Sequence, residues 1–309
     1  MRKALLSTAV AEQRQSLLRA VATLPDDAWD VVCPNPAAAQ GVVRLDEPVR
    51  TVRDLVAHVC VVDGLSLGAN PVRPWDALWR LEMPSGWDRR RVMPFLDLSP
   101  SDLLGVLARS GDRVVRMVSA TPPAMGRLPV TGPFGRQPLV QLVTQRVLHE
   151  WLHERDVVDA IAGGPPRRVP SPQPAVAEAI VDVILAMMPE QVLPRADADG
   201  GVVRLIIDID SGASNDDGVV GARRVWAADF ARRHYGPRVV VSPDATVRMD
   251  AATLALLTNG RWDRVGWGNC VMIDGDEALG KLLLDAIRRP IRSLPSPGLD
   301  DDRTVTTSP

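Results

Sequence analysis

Apolar residues recur at helical spacing through the first half of the chain. Leu5, Leu6, Val10, Leu17, Leu18 and Val21 mark an amphipathic helix over residues 3–24. A loop with Asp26, Asp27, Trp29, Pro34 and Pro36 follows. Thr51-Val-Arg-Asp54 has the form of a capping box, with Thr51 as N-cap and Asp54 three residues on. The helix it opens runs to about Gly68. Residues 69–98 hold several prolines and Trp75, Trp79 and Trp87, and read as irregular. Those tryptophans suit either core packing or the lining of a substrate pocket. Ser99-Pro100 starts a third helix with Pro at its first position, ending near Thr121-Pro122-Pro123. A loop around Gly132-Pro133-Phe134-Gly135 leads to a fourth helix, about Pro138 to Ala162, stopped by Gly163-Gly164-Pro165-Pro166.

The pattern changes after this point. Residues 164–174, rich in Pro, Gly and Arg, read as a linker. A helix from Pro174 to Met188 then precedes strand-like runs at Val202–Ile209, Arg223–Ala227, Arg238–Ser242, Thr246–Met249 and Val271–Ile273. Asp250 begins a short helix ending at Asn259-Gly260, and Asp276–Arg289 forms a last one. The acidic run from Asp208 to Asp217 lacks the spacing of a calcium loop and reads as a hairpin loop. The expected class is α followed by α+β: a four-helix bundle over 1–163, a smaller unit over 175–292, and a disordered tail over 293–309.

Composition narrows the chemistry. The 309 residues carry a formal charge of −2, which argues against nucleic acid as a main partner. The 36 basic side chains include only two lysines, Lys3 and Lys281. Cys33, Cys60 and Cys270 are too few and too scattered for a disulfide framework or a zinc ribbon. No apolar run is long enough to span a membrane, and Met1-Arg2-Lys3 opens a helix with no signal-peptide core. A soluble cytoplasmic protein, monomeric or homodimeric, is the expectation.

Only four histidines occur, and three fall in the helical half. His149 and His153 are four apart on the fourth helix, a spacing that places their Cβ atoms about 5–6 Å apart on one face. His58 lies on the second helix. Facing helices of a bundle can bring three imidazoles to one metal. Around His149 the narrow sector holds Leu142, Gln145, Arg146, His153, Asp156 and Ala160, while most of the rest of that helix is apolar. A polar sector on so apolar a helix points to a cavity rather than to bulk water. His58 taken alone better fits a hydrogen-bonded core histidine; it is the grouping of three histidines in one bundle that favours a metal. His234, in Arg232-Arg-His-Tyr235, reads as surface.

His149-Glu150-Trp-Leu-His153 also matches the HExxH pattern of zinc peptidases, in which the Glu is the general base. Asp156 stands where a metzincin needs a glycine to turn the chain, and His58 would have no role, so this reading is the weaker one.

Thr51-Val-Arg-Asp-Leu-Val-Ala-His58 and Arg146-Val-Leu-His-Glu-Trp-Leu-His153-Glu-Arg-Asp156 resemble the two ligand-bearing helices of DinB-like metalloenzymes. Within that superfamily the chain is most similar to the mycothiol-dependent maleylpyruvate isomerase family. Asp244-Ala-Thr and Leu254-Ala-Leu-Leu-Thr-Asn-Gly-Arg261 resemble its small sterol-carrier-like α+β domain. The resemblance covers roughly residues 3–290. It implies a bundle that holds zinc or another divalent metal through His58, His149 and His153, with a position open for water, thiolate or substrate. It also implies a mycothiol-dependent isomerase or S-transferase acting on a small, carboxylated or unsaturated metabolite. In the maleylpyruvate isomerases the ligand four before the last His is a Glu, so His149 is a departure toward the three-His type of the wider superfamily. Arg146 would hold a carboxylate or form an ordinary ion pair with Asp156 or another acid. Asp156 would orient His153 or lie on the surface. Arg261 would reach the cofactor from the second domain. Two other readings stay open: a thiol-independent metalloenzyme, either hydrolase or cyclase, and a non-catalytic protein that holds an apolar ligand.

Overall fold

The computed structural model describes residues 3–33, 50–67, 89–132, 135–164, 169–192, 200–209, 222–237, 242–259, 261 and 270–288. The tryptophans at 75, 79 and 87, residues 165–168 of the expected linker, residues 210–217 of the acidic run and the 293–309 tail lie outside them.

Four helices close a ring. They are α1 (Lys3–Ala22), α2 (Val52–Leu67), α4 (Pro100–Ala120) and α5 (Leu139–Ile161), with a short α3 (Arg89–Leu96) beside α2. α1 packs on α4 and α5, and α2 packs on the same two helices. The expected caps form. Asp54 Oδ2 accepts from the Thr51 backbone N–H at 2.8 Å and Thr51 Oγ1 accepts from that of Asp54 at 3.2 Å, while Ser99 caps α4. Such a cap contributes about 1 kcal/mol and sets where the helix starts, and so which way His58 faces one and a half turns later.

The structure differs from the sequence reading in the prolines' neighbourhoods. α3 falls inside the stretch expected to be irregular, with Pro94 within it and Phe95 and Leu96 packed against the bundle core. The expected loop before the fourth helix is a hairpin whose strands pair Pro129 with Pro138 and Gly132 with Gly135. A two-residue bridge, β1 (Val32–Cys33) to β2 (Arg50–Thr51), leads into α2. Calling the hairpin strands β3 (Pro129–Gly132) and β4 (Gly135–Pro138), all these pieces are too short for period-two patterning to show.

The second half builds a five-stranded sheet of order β7-β6-β5-β8-β9: β5 (Val202–Asp208), β6 (Arg223–Asp229), β7 (His234–Gly236), β8 (Ala245–Asp250) and β9 (Val271–Gly275). β5 and β8 run parallel and the other pairs antiparallel. β7 lies just before the strand expected at 238–242, of which residues 238–241 are outside the described set. His234 is exposed there, as a surface residue should be.

α6 (Pro174–Val192) joins the halves. It is apolar over most of its surface, with Glu178 and Asp182 on one face pairing with Arg224, and Val176, Ile180, Val181, Ile184, Leu185 and Met188 are all buried. It packs on α1 and α5 on one side and on α7 (Ala251–Thr258) and α8 (Glu277–Arg288) on the other. One hydrophobic core therefore runs from Leu6 and Trp151 in the bundle to Leu205 and Val247 in the sheet. No helix among the described residues is long and apolar enough to cross a membrane.

Candidate metal centre

α2 and α5 meet with their three histidines facing each other. His149 Nε2 lies 3.1 Å from His58 Nε2 and 3.1 Å from His153 Nε2. One ring nitrogen from each residue falls within 4.8 Å of the other two. Burial pushes the His58 and His149 imidazoles well below their ordinary pKa, helped by the neighbouring His153. Burial also lowers His153, although Asp156 opposes it. The site thus holds neutral imidazoles, the form that binds metals.

The geometry poses a problem that a cation solves. A neutral imidazole nitrogen carries either one proton or one lone pair. His149 Nε2 touches two other nitrogens, so it cannot make a full hydrogen bond to both. Three lone pairs directed at one cation remove the conflict. Ligand nitrogens at 2.0–2.1 Å around a tetrahedral zinc lie about 3.3 Å apart, close to the spacing here. The residues present fit a divalent metal bound by three neutral imidazoles.

Behind His153, Asp156 Oδ2 lies 3.4 Å from Nδ1. The same carboxylate is gripped by Arg261, with Nε at 3.1 Å and Nη2 at 2.7 Å. Burial would raise the Asp156 carboxyl, but the Arg261 guanidinium and the His153 contact hold it well below the usual carboxylate range. Arg261 reaches the bundle from the α+β half, just beyond α7, where its own N–H donates to the Leu256 carbonyl at 2.9 Å. The structure therefore brings Arg261 to the site through Asp156, and Asp156 is buried rather than at the surface.

One turn further into the bundle lies a layer of charge. Arg14 of α1 donates through Nε to Glu150 at 2.6 Å, through Nη2 to Asp63 at 2.8 Å and Glu150 at 3.0 Å, and through Nη1 to the Leu107 carbonyl at 2.6 Å. Arg146 Nη2 pairs with both Asp63 and Glu150. All four side chains are almost wholly buried. Burial would raise the Glu150 carboxyl, but Arg14 and Arg146 outweigh it and keep it ionised. Arg146 thus pairs with Asp63 and Glu150, and Asp156 is left to Arg261. Glu150, clasped by two guanidiniums, is not placed as the free general base that the HExxH reading needs.

No family model matches the chain, and no curated protein matches it in sequence. Its fold is similar to that of a mycothiol-dependent maleylpyruvate isomerase. That crystal structure aligns at 13% identity and TM-score 0.47, covering 89% of this chain and 93% of the other. Over a smaller part of the chain, sterol carrier protein 2-like 2 from Aedes aegypti aligns at 22% identity and TM-score 0.26, covering 35% of this chain and 96% of that one. Sterol carrier protein domain 2 of Helicoverpa armigera aligns at 16% identity and TM-score 0.25, covering 41% and 100%.

The sequence reading missed Arg14 and Asp63. Both leave a signal. Arg14 interrupts the apolar face set by Val10, Leu17 and Val21, and Asp63 sits in α2 directly after the buried Val59 and Val62. A charge on the core face of a bundle helix calls for a buried partner.

Proposed function

We propose that the protein is a metal-dependent enzyme in which His58, His149 and His153 hold one divalent cation, zinc first among candidates. The reading extends to the use of a low-molecular-weight thiol, mycothiol, in isomerisation or S-transfer of a small unsaturated metabolite. The observation that carries the metal is the mutual 3.1 Å approach of ring nitrogens at His149 Nε2. A divalent cation there would supply a Lewis acid that lowers the pKa of a thiol or water in its open position, and a thiolate adds to an activated alkene and leaves after bond rotation, or stays as the S-transfer product.

The chain's own residues prepare that chemistry. Asp156 steadies His153 by accepting from its Nδ1–H, which keeps Nε2 free as the ligand atom. Arg261 keeps Asp156 ionised for this task. The bundle's own cysteines are poor sources of that thiol: Cys60, two residues from His58, is buried and its pKa is pushed up to about 12 by burial and by Asp63. Cys33 is buried in the bundle core.

Elemental analysis of the purified protein tests the metal. About one equivalent of divalent metal is expected, lost in H58A and H153A variants that keep their helical circular dichroism. A folded protein that takes up no divalent metal overturns the proposal. The thiol part is tested separately: turnover that persists in a thiol-free preparation refutes it and leaves a hydrolase or cyclase.

A further inference from the structure

The bundle has a second feature that the histidines do not explain. At the end where α1 and α5 begin and α4 finishes lies a cavity of about 510 Å³. Its floor is Leu6, Val118, Leu139 and Val143, all buried members of the main hydrophobic core. Its rim is Pro122, Pro123 and Arg127, all exposed. Protein interiors pack without voids of this size, which falls within the roughly 300–1,000 Å³ of small-molecule sites.

The walls are tied in place. The short 3₁₀ turn Pro123–Arg127 is closed by the Met125 N–H, which donates to the Pro122 carbonyl at 2.9 Å, and by the Leu128 N–H, which donates to that of Met125 at 3.0 Å. The Leu128 carbonyl accepts from the Leu139 N–H at 2.9 Å and so joins the turn to the start of α5. A pocket framed by backbone bonds keeps its shape when empty. It is also separate from the metal centre. Along α5, Val143 precedes Arg146 by one turn and His149 by six residues, a rise of about 9 Å. Along α1, Leu6 precedes Arg14 by two turns. The buried charged layer therefore stands between the cavity and the histidines.

The lining selects the occupant. Arg127 is its one charged side chain, and it makes no ion pair among the described residues. α5 opens at the same rim with Pro138 as N-cap, no side-chain cap and no acid in its first turn, so its first N–H groups add positive potential. At the end of α4, by contrast, the Met117 carbonyl already accepts from the Thr121 N–H at 3.0 Å and from its Oγ1 at 2.7 Å. We propose that this cavity binds a medium-chain anionic amphiphile, with its aliphatic body between α1, α4 and α5 and its head group at Arg127. The site lies apart from the three histidines and from the α+β half, and it goes beyond the proposed function without resting on it.

Calorimetric titration of the metal-free full chain with decanoate tests this, with decanol and butanoate as controls. One equivalent of decanoate is expected to bind, each methylene beyond butanoate tightening it about fourfold while the floor still has room. Val140→Trp fills the cavity from the half-buried side of α5 and should weaken decanoate and decanol by about tenfold or more, the loss of about two buried methylenes. Val143→Phe fills it from the floor and serves if the first variant does not fold. Arg127→Gln should weaken decanoate about threefold and leave decanol unchanged. Butanoate binding as tightly as decanoate would reduce the site to a surface ion pair and overturn it. So would the absence of decanoate binding, or an Arg127→Gln variant that holds decanoate as the parent does. Decanoate binding that survives both fillings would place the ligand elsewhere in the chain, at the histidines or in the α+β half, and overturns the site as well. Because the titrations use metal-free protein, the metal reading and this one can fail separately.

Discussion

Removing Arg261 is the sharpest perturbation of the link between the two halves. Asp156 is 3% exposed and the Arg261 side chain 11%, and they meet through two hydrogen bonds of 2.7 and 3.1 Å. Taking away one partner of a buried pair costs about 3–5 kcal/mol, because the other charge is left in a poor dielectric. Arg261 is the more exposed partner. Arg261→Met should therefore cost about 3 kcal/mol, and Asp156→Leu less, since the freed guanidinium can reach water. Together the two replacements remove both charges, and the double variant should recover most of the loss. Metal affinity should behave differently. Loss of the group behind a metal-binding histidine typically weakens binding 10–100-fold. The 3.4 Å contact to His153 Nδ1 is long, which places the expected effect near tenfold. Urea unfolding of the metal-free protein gives the first quantity and cobalt absorption titration the second. The expected pattern is stability restored in the double variant with metal affinity still about tenfold down. Additive destabilisation would show that the pair is not coupled. Unchanged metal affinity in Asp156→Leu would show that Asp156 does not act on His153.

Three further outcomes follow from the geometry. Gly111→Ala forces a Cβ against Arg14 and should destabilise by about 1–3 kcal/mol, read as a lower urea midpoint. The metal-free protein should lose stability as pH falls below 6.5, because the unfolded chain takes up protons that buried His58, His149 and His153 refuse. Each depressed histidine contributes about 1.4 kcal/mol per pH unit between its unfolded and folded values, present above pH 6.5 and lost below it; a flat urea midpoint from pH 7.5 to 5.5 would contradict this. Of the three thiols, only Cys270 should react promptly with a maleimide in the native protein, Cys33 and Cys60 waiting for unfolding; fast reaction at Cys60 would refute its high pKa.

Much of this was legible in residue spacing because the informative signals are local. The Thr51–Asp54 box, the Ser99-Pro100 start and the Asp250 cap each depend on residues three apart, and each formed. The four-residue step from His149 to His153 fixes a shared face by helix geometry alone. What it left open was long-range. Whether His58 faces the other two depends on how α2 meets α5, and nothing in either helix states that. The partners of Arg146 and Asp156 depended on residues 83 positions away at Asp63 and 105 away at Arg261, the latter in another unit of the fold. Short strands such as β3 and β7 escaped because three or four residues cannot display a period.

The fate of His149-Glu150 shows why a motif carries chemistry only in its surroundings. Adjacent helical residues point about 100° apart, so the two side chains cannot both serve one site unless the chain around them is built for it. In a zinc peptidase the Glu must stay free to take a proton from water. Here the charge of Arg14, admitted by Gly111, turns Glu150 into a structural anion, while His149 faces His58 and His153. The bundle thus stacks two polar layers that an apolar core would replace at lower cost in desolvation. One layer is electrically neutral and bonded to all four helices of the ring. The other consists of three neutral rings whose nitrogens cannot satisfy one another. A layer balanced within the protein and a layer whose rings leave one another unsatisfied are different objects: the first is closed by its own charges, and the second is where the proposed cation would sit.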